Sequence, residues 1–215
     1  MEYTLYLTAE RSVVRESLKG VIWTIFFNRL FGPITPTTNE FLSVTYSMAE
    51  NLPELDTLID EKVNQLIKLQ FDTSNQGVSH GHVIVQFLDK KAGKSKRTGW
   101  FGKSETSDDL KLWESWIVSV ECLPMATSDH GGDGGPCLNP QDKNRNIEVS
   151  IQSFEENLHK IFTIVDSHKD HIPPITSLES LPFPYTIDVE RNLSKLNYAT
   201  EGNDSWGGYI KKMLD

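Results

Sequence analysis

The sequence has few cysteines and no long apolar run, and both absences narrow the class of protein. Two cysteines, Cys122 and Cys137, occur in 215 residues. Two are too few for a disulfide framework and typical of free thiols in a reducing compartment. The most apolar run covers 21–27, whereas a membrane span needs roughly 20 apolar residues. The N-terminus is too acidic and too broken by charge for a signal peptide. The sequence predicts a cytoplasmic protein.

Basic residues are also scarce. The chain has 21 Lys and Arg against 30 Asp and Glu, a net charge of −9. This balance argues against a nucleic-acid binder, which usually carries a basic face. With 38% hydrophobic and 24% charged residues, the composition is that of a globular domain. Since domains typically run to roughly 100–200 residues, we expect one domain over 1–215.

The motifs of common catalytic sites are missing. The glycine-rich stretch 130–135 (His-Gly-Gly-Asp-Gly-Gly) has no Gly-x-Ser-x-Gly elbow to accompany it, so a flexible loop is favoured over an oxyanion loop. Neither a phosphate-binding loop nor a dinucleotide fingerprint occurs. We therefore expect no enzymatic activity and no cofactor.

Four histidines raise the question of a metal site. His80 and His82 lie two apart on a predicted strand and share a face, and His168 and His171 could add ligands. No Cys-x-x-Cys or His-Glu-x-x-His spacing supports this interpretation. Surface histidines on a half-buried strand are favoured, and no metal is expected.

Hydrophobic periodicity predicts three helices and a mainly antiparallel sheet, an α+β fold. Thr8 is expected to cap the first helix. The third and fourth strands form a long hairpin, and 89–110 is a long connection between them. A second long loop covers 124–146, and short elements are suggested near 196–198 and over 205–214. The predicted helices are 9–30, 53–70 and 147–167, and the predicted strands are 3–7, 41–46, 78–88, 111–122 and 183–189.

The fourth strand has the clearest two-residue alternation. Trp116, Val118, Val120 and Cys122 share its apolar face, and Ser115 is expected to face solvent on the other side with Ser119 and Glu121. Three positions separate Trp113 from Trp116, so a regular strand would point them to opposite faces.

The loop of this hairpin combines positive charge with two aromatic residues. Gly99 and Gly102 bracket Trp100 and Phe101. Two large rings left in water forgo roughly 3–6 kcal/mol of burial. The residues leave three alternatives open: packing on the domain itself, a protein partner, or a membrane surface. The basic residues of the loop are Lys90, Lys91, Lys94, Lys96, Arg97 and Lys103.

This loop and the Trp-Glu-Ser-Trp-Ile-Val-Ser-Val strand at 113–120 resemble the autophagy-related protein 101 family. The element order is similar along essentially the whole chain, including the His-Ile-Pro-Pro stretch at 171–174. Trp100 and Phe101 are adjacent here, whereas a proline separates the two aromatics in animal relatives. Relative to the family, the glycine-rich loop at 124–146 resembles an inserted segment.

The resemblance implies a HORMA domain with three helices on a mainly antiparallel sheet and no catalysis. It implies a scaffold subunit of the autophagy-initiation kinase complex that pairs with the HORMA domain of autophagy-related protein 13. Trp100 and Phe101 would form a finger that recruits downstream autophagy factors at autophagosome-formation sites. Further partner or membrane contacts are expected from Lys94, Lys96, Arg97 and Lys103. The alternative function is a membrane-surface binding module that uses the same loop.

Overall fold

The computed structural model describes residues 1–72, 77–90, 110–125, 140–175 and 181–190, with the backbone alone for 90 and 140–144. These residues form an α+β fold, as the sequence predicts. The helices are α1 (Val14–Phe27), α2 (Pro53–Leu66), which continues into one π-helical turn (Ile67–Phe71), and α3 (Pro140–Ser167). The strands are β1 (Glu2–Glu10), β2 (Pro36–Phe41), β3 (Val44–Ala49), β4 (Ser79–Lys90), β5 (Leu110–Leu123) and β6 (Tyr185–Glu190).

Four strands form the main sheet in the order β1-β5-β4-β6. β4 pairs antiparallel with β5 and with β6, which confirms the long hairpin. β1 pairs parallel with β5, so the first strand lies beside a strand more than 100 residues later. The hairpin therefore supplies the two central strands, and β1 and β6 flank it.

The first helix begins later than the sequence predicts. β1 continues through Thr8 to Glu10, paired with β5 up to Leu123. Leu5, Leu7 and Ala9 keep the two-residue alternation and are fully buried or nearly so. The predicted start of this helix at residue 9 and its Thr8 cap are wrong, because pairing with β5 keeps Thr8, Ala9 and Glu10 in the strand.

A β-hairpin replaces the single strand predicted at 41–46. β2 and β3 pair antiparallel from Pro36–Ala49 to Phe41–Val44. Leu42 and Ser43 form the turn with φ angles of 44° and 72°. Two-residue hairpin turns of this hand need positive φ at both positions and usually carry Asn or Gly. Leu-Ser lacks that signature, so the turn could not be read from the sequence.

Helices α1 and α2 are joined by partly buried polar contacts as well as by apolar packing. The ammonium of Lys19 lies 2.9 Å from Asp56 and 3.1 Å from Asp60. Trp23 Nε1 also donates to Asp56 at 2.9 Å. Burial disfavours the charged form of Lys19, but its hydrogen bonds to both aspartates raise its pKa above the usual value. These carboxylates therefore hold α2 on α1, whereas the sequence alone favoured a solvated face.

α3 packs beside the sheet through an apolar stripe on one side. Phe154, Leu158 and Ile161 are buried in the main core. The Phe154 ring meets Phe41 edge-on at 4.8 Å and Tyr46 at 5.9 Å between centroids. The helix begins earlier than the predicted residue 147, since the apolar pattern starts only where the helix meets the core.

Candidate partner-binding site

The residues predicted to contact a partner lie outside the described part of the chain. These are Trp100, Phe101, Lys94, Lys96, Arg97 and Lys103. The structure does describe both strands from which their loop extends. β4 ends at Lys90 and β5 begins at Leu110, and these two residues are register partners.

The two strands that the loop connects are the central strands of the main sheet. The β4–β5 pairing runs continuously from Ser79–Cys122 to Lys90–Leu110 apart from one irregularity. Val83, Val85 and Phe87 of β4 are fully buried, and so are Trp116 and Val118 of β5. Binding residues on loops are commonly held out by rigid scaffolds of this kind.

A β-bulge interrupts the hairpin four residues into β5. Phe87 pairs with Glu114, and the next residue, Leu88, pairs with Leu112. Trp113 is therefore the extra residue on the β5 side. A bulge redirects the side chains on either side of it. For this reason Trp113 and Trp116 both reach the main core, and the prediction that they point to opposite faces is wrong.

The bulge also places a carboxylate in the core. Glu114 is fully buried on the face shared with Phe87 and Trp116. Arg29, just beyond the end of α1, donates two hydrogen bonds to Glu114. Its Nε lies 2.7 Å from Oε1, and its Nη2 lies 3.0 Å from Oε2. The indole Nε1 of Trp116 donates to Oε1 at 2.5 Å. Both carboxylate oxygens of Glu114 accept hydrogen bonds, and these bonds offset the cost of removing the charge from water.

His171 completes this cluster from the segment after α3. Its Nε2 lies 2.6 Å from Glu114 Oε2. The imidazole packs 5.7 Å from the Trp113 ring and 6.3 Å from the Tyr3 ring. Burial raises the pKa of Tyr3, and the charge of Glu114 raises it further. The cluster thus joins β1, β5, the end of α1 and the segment that leads to β6.

The side of β5 that was predicted to face solvent is not fully exposed. Ser115 was expected in solvent but is 2% exposed. Its register neighbours are Glu2 on β1 and Gln86 on β4. Because β5 is a central strand, a short side chain between two longer neighbours is shielded from solvent.

The structure does not bring the four candidate metal ligands together. His80 and His82 lie on β4, alternating with the core residues Val83 and Val85. His171 binds Glu114 instead, and His168 packs against Tyr3. Burial and the neighbouring His80 lower the pKa of His82. Within the described ranges, no group of three or more His, Cys, Asp or Glu side chains is placed to hold a metal ion.

Comparison with known proteins gives the family directly. The family model for autophagy-related protein 101 matches residues 6–179. The chain belongs to this family. The match includes Trp100 and Phe101, both tryptophans of β5, and Arg29, Glu114 and His171 of the buried cluster, and it ends before β6.

Two curated relatives agree with this assignment. An autophagy-related protein 101 of Arabidopsis thaliana is 30% identical over 192 residues, 84% of this chain and 83% of the relative. The protein of the same name from Schizosaccharomyces pombe is 23% identical over 218 residues, 98% of this chain and 93% of the relative. The family relationship supports a role in autophagy, and the α+β fold is consistent with a HORMA domain. No described helix is long and apolar enough to cross a membrane.

One signal of the buried cluster is present in the sequence. Glu114 stands between two tryptophans in a strand otherwise rich in apolar residues. A carboxylate in such a position predicts a buried partner. Its partners, Arg29 and His171, lie 85 and 57 residues away, and only the tertiary structure identifies them.

Proposed function

We propose that this chain is a non-catalytic scaffold subunit of the autophagy-initiation kinase complex. It would pair with the HORMA domain of autophagy-related protein 13 and recruit downstream factors through Trp100 and Phe101. The observation that carries the proposal is the position of these aromatics in sequence. They lie in the connection between the two central strands of the sheet, within a chain of the autophagy-related protein 101 family.

The buried framework of the hairpin supports a presenting role. Phe87, Trp113 and Trp116, all on the two strands of the hairpin, lie in the main core, so the described core already contains large aromatic residues. Exposed aromatic residues are characteristic centres of protein interfaces, where a few of them supply most of the binding energy. We expect the basic residues Lys94, Lys96, Arg97 and Lys103 to keep the connection soluble and to add rim contacts.

The test is a double substitution, Trp100→Ala with Phe101→Ala, in the full chain. We expect an unchanged melting temperature and unchanged co-purification with the HORMA domain of autophagy-related protein 13. Recruitment of downstream factors to autophagosome-formation sites should fail, as seen by fluorescence microscopy of tagged factors in cells. The matched control replaces two exposed aromatics elsewhere, Tyr6 and Phe162, and should leave recruitment intact.

Two results would contradict the proposal. A large drop in melting temperature would show that the two rings belong to the core of the domain. Loss of flotation with anionic vesicles in the double variant, with recruitment retained, would support the membrane-surface alternative. In that case the Lys94, Lys96, Arg97 and Lys103 quadruple alanine variant should lose flotation as well, because lysine and arginine near a membrane contribute about 1 kcal/mol each.

A further inference from the structure

The main sheet has a second face, opposite the one that packs on the helices. Along β4, Val83 and Val85 belong to the main core, and Ile84 between them points the other way because strand side chains alternate. Ile117 of β5 is the register partner of Ile84 and shares its side. We call the side of the sheet that carries Ile84 and Ile117 the outer face.

The middle of the outer face is shielded from water. Ile84 is 3% exposed and Ile117 is 5% exposed, yet neither belongs to the main core that holds the buried apolar residues of the three helices. Their neighbours in the same row across the sheet are Thr4 on β1 and Asp188 on β6. Two short polar side chains do not cover a pair of isoleucines, so further chain must lie above them.

Shielded polar atoms mark the same face. Ser115 Oγ and Thr186 Oγ1 are buried without a hydrogen-bond partner in the described part of the chain. Both are register partners of Gln86, so they lie in one row that crosses β5, β4 and β6. Because β6 is an edge strand, neighbouring strands shield Thr186 from one flank only. The cover of the outer face therefore extends over β6.

The exposed residues around the outer face show from which side the cover enters. Tyr6 on β1 is 69% exposed, and Leu112 at the hairpin end is 40% exposed. His80 at the opposite end is exposed as well. A cover entering over β1 or over either end of the central strands would bury these side chains. The remaining side is the edge formed by β6.

The chain leaves the sheet at this edge. β6 ends at Glu190, the register partner of His82, and residues 191–215 follow it. We call 191–215 the trailing segment. Its first part, 191–205, spans up to about 50 Å when extended. The sheet is only about 14 Å wide from β1 to β6, so the rest of the trailing segment can reach every part of the outer face.

The rest of the trailing segment carries an apolar helical stripe. Trp206, Tyr209, Ile210 and Met213 follow each other at three, one and three residues, which is one face of a helix. A helix over 206–215 would be about 15 Å long, close to the width of the sheet. Its sequence therefore matches both the apolar character and the size of the outer face.

We propose that the trailing segment folds over the outer face and packs Trp206, Ile210 and Met213 on Ile84 and Ile117. It is attached at the side from which the cover enters, and it has the required length and apolar stripe. The sheet would then carry helices on both faces, and the segment would close an apolar surface that is otherwise open to other molecules.

Two glycines make this helix dependent on the face that it covers. Gly207 and Gly208 lie within the stripe, and each disfavours a helix by about 1 kcal/mol relative to alanine. A short helix of this composition is not stable in water by itself. Packing on the outer face supplies the missing stabilisation.

Thiol labelling of the full chain tests whether the outer face is covered. The probe is Ile117→Cys in a background with Cys122→Ala and Cys137→Ser, which removes the two native thiols. Its reaction with a maleimide should be slow, as for a buried thiol. Val85→Cys in the same background reports on the opposite, core-facing side of the sheet and should also react slowly.

Substitutions in the trailing segment identify what provides the cover. Trp206→Ala with Ile210→Asp and Met213→Asp should speed the labelling of Ile117→Cys at least about tenfold, since local opening exposes it. Labelling of Val85→Cys should stay slow. The matched control, Lys211→Ala with Lys212→Ala, changes the other side of the predicted helix and should leave both probes slow.

Fast labelling of Ile117→Cys with the original trailing segment would overturn the proposal, and so would slow labelling in the triple variant. Should the triple variant unfold, a nitroxide on Lys212→Cys gives the same test without changing the apolar stripe. It should broaden the NMR signals of the Ile84 and Ile117 amides more than that of Ile25 in α1. Equal broadening, or none at the outer face, would contradict the docking.

Discussion

Glu114 is the residue on which the most distant parts of the chain converge. It is fully buried and receives hydrogen bonds from Arg29, Trp116 and His171. A buried ion pair is not by itself evidence of high stability, because both charges lose hydration. Removing one partner is costly, since the other charge then stays buried without compensation.

We predict that Glu114→Gln lowers the free energy of unfolding by about 3–5 kcal/mol, because the Arg29 guanidinium remains in the core without its anion. Urea denaturation followed by tryptophan fluorescence measures the loss. Glu155→Gln, an isosteric change on the exposed side of α3, should leave the denaturation midpoint unchanged. Equal midpoints for Glu114→Gln and the original chain would contradict the role assigned to the cluster.

At the scale of single elements, the β2–β3 turn departs most clearly from local sequence preference. Leu42 and Ser43 both adopt positive φ, which costs roughly 1–2 kcal/mol for a residue other than glycine, with asparagine less affected. The strands on either side hold the turn in this conformation through their register. Local preference and tertiary structure therefore conflict at these two positions.

Replacing Leu42 by Asn and Ser43 by Gly should relieve this conflict. We predict a gain of about 1 kcal/mol in the free energy of unfolding, since Asn-Gly is the preferred pair for such a turn. A rise in melting temperature by differential scanning calorimetry measures the effect. Ser47→Gly, in the middle of β3, should instead lower it, and a lower melting temperature for the turn variant would refute the assignment of the turn.

The contact between α1 and α3 depends on a residue without a side chain. A Cβ atom built on Gly20 would lie 2.8 Å from Phe154 Cζ and 2.9 Å from its Cε2. We predict that Gly20→Ala destabilises the protein by about 1–3 kcal/mol through overpacking. The same change in an open helix would stabilise it by up to about 1 kcal/mol.

A double-mutant cycle separates these two effects. In a Phe154→Leu background the smaller side chain should accommodate the new methyl group, so that Gly20→Ala costs less than in the original chain. Denaturant midpoints of the four proteins supply the comparison. Identical losses in the two backgrounds would show that Phe154 is not the obstacle.

In the whole molecule, the parallel pairing of β1 with β5 links the first strand to the middle of the chain. It joins residues 2–10 to residues 115–123, and α3 in turn bonds to the far side of β1. The first strand is therefore held in place by contacts to elements of the second half of the chain on both of its edges. The single domain expected from length and composition remains a prediction, but these contacts support it.

We predict one cooperative unfolding transition for the full chain. Far-ultraviolet circular dichroism and tryptophan fluorescence should give coincident denaturation curves, since the described tryptophans lie in one core cluster with all three helices. Trp23→Phe serves as a control that removes one reporter on α1, and its curves should coincide with each other as well. Two separated transitions would indicate independent units.

Elements with long and regular periodicity could be predicted from the amino-acid pattern. The α2 stripe and the alternation of β4 and β5 predicted their positions within a few residues, because one buried face imposes a period on the chain. The same patterns identified the hairpin that carries Trp100 and Phe101. Composition and the missing motifs limited the classes of function, and the Trp-Glu-Ser-Trp strand indicated the family that the comparisons confirm.

Features that depend on residues distant in the sequence could be seen only in the folded chain. The bulge at Trp113 turns Glu114 into the core, where Arg29 and His171 meet it. Ser153 and Asn157 of α3 bond to backbone atoms of Thr8 and Tyr6 in β1, and no side-chain pattern encodes those partners. Pairing with β5 likewise extends β1 through the residues that were predicted to start the first helix. A local pattern predicts which face of an element is buried. Which residues cover that face depends on how the whole chain folds.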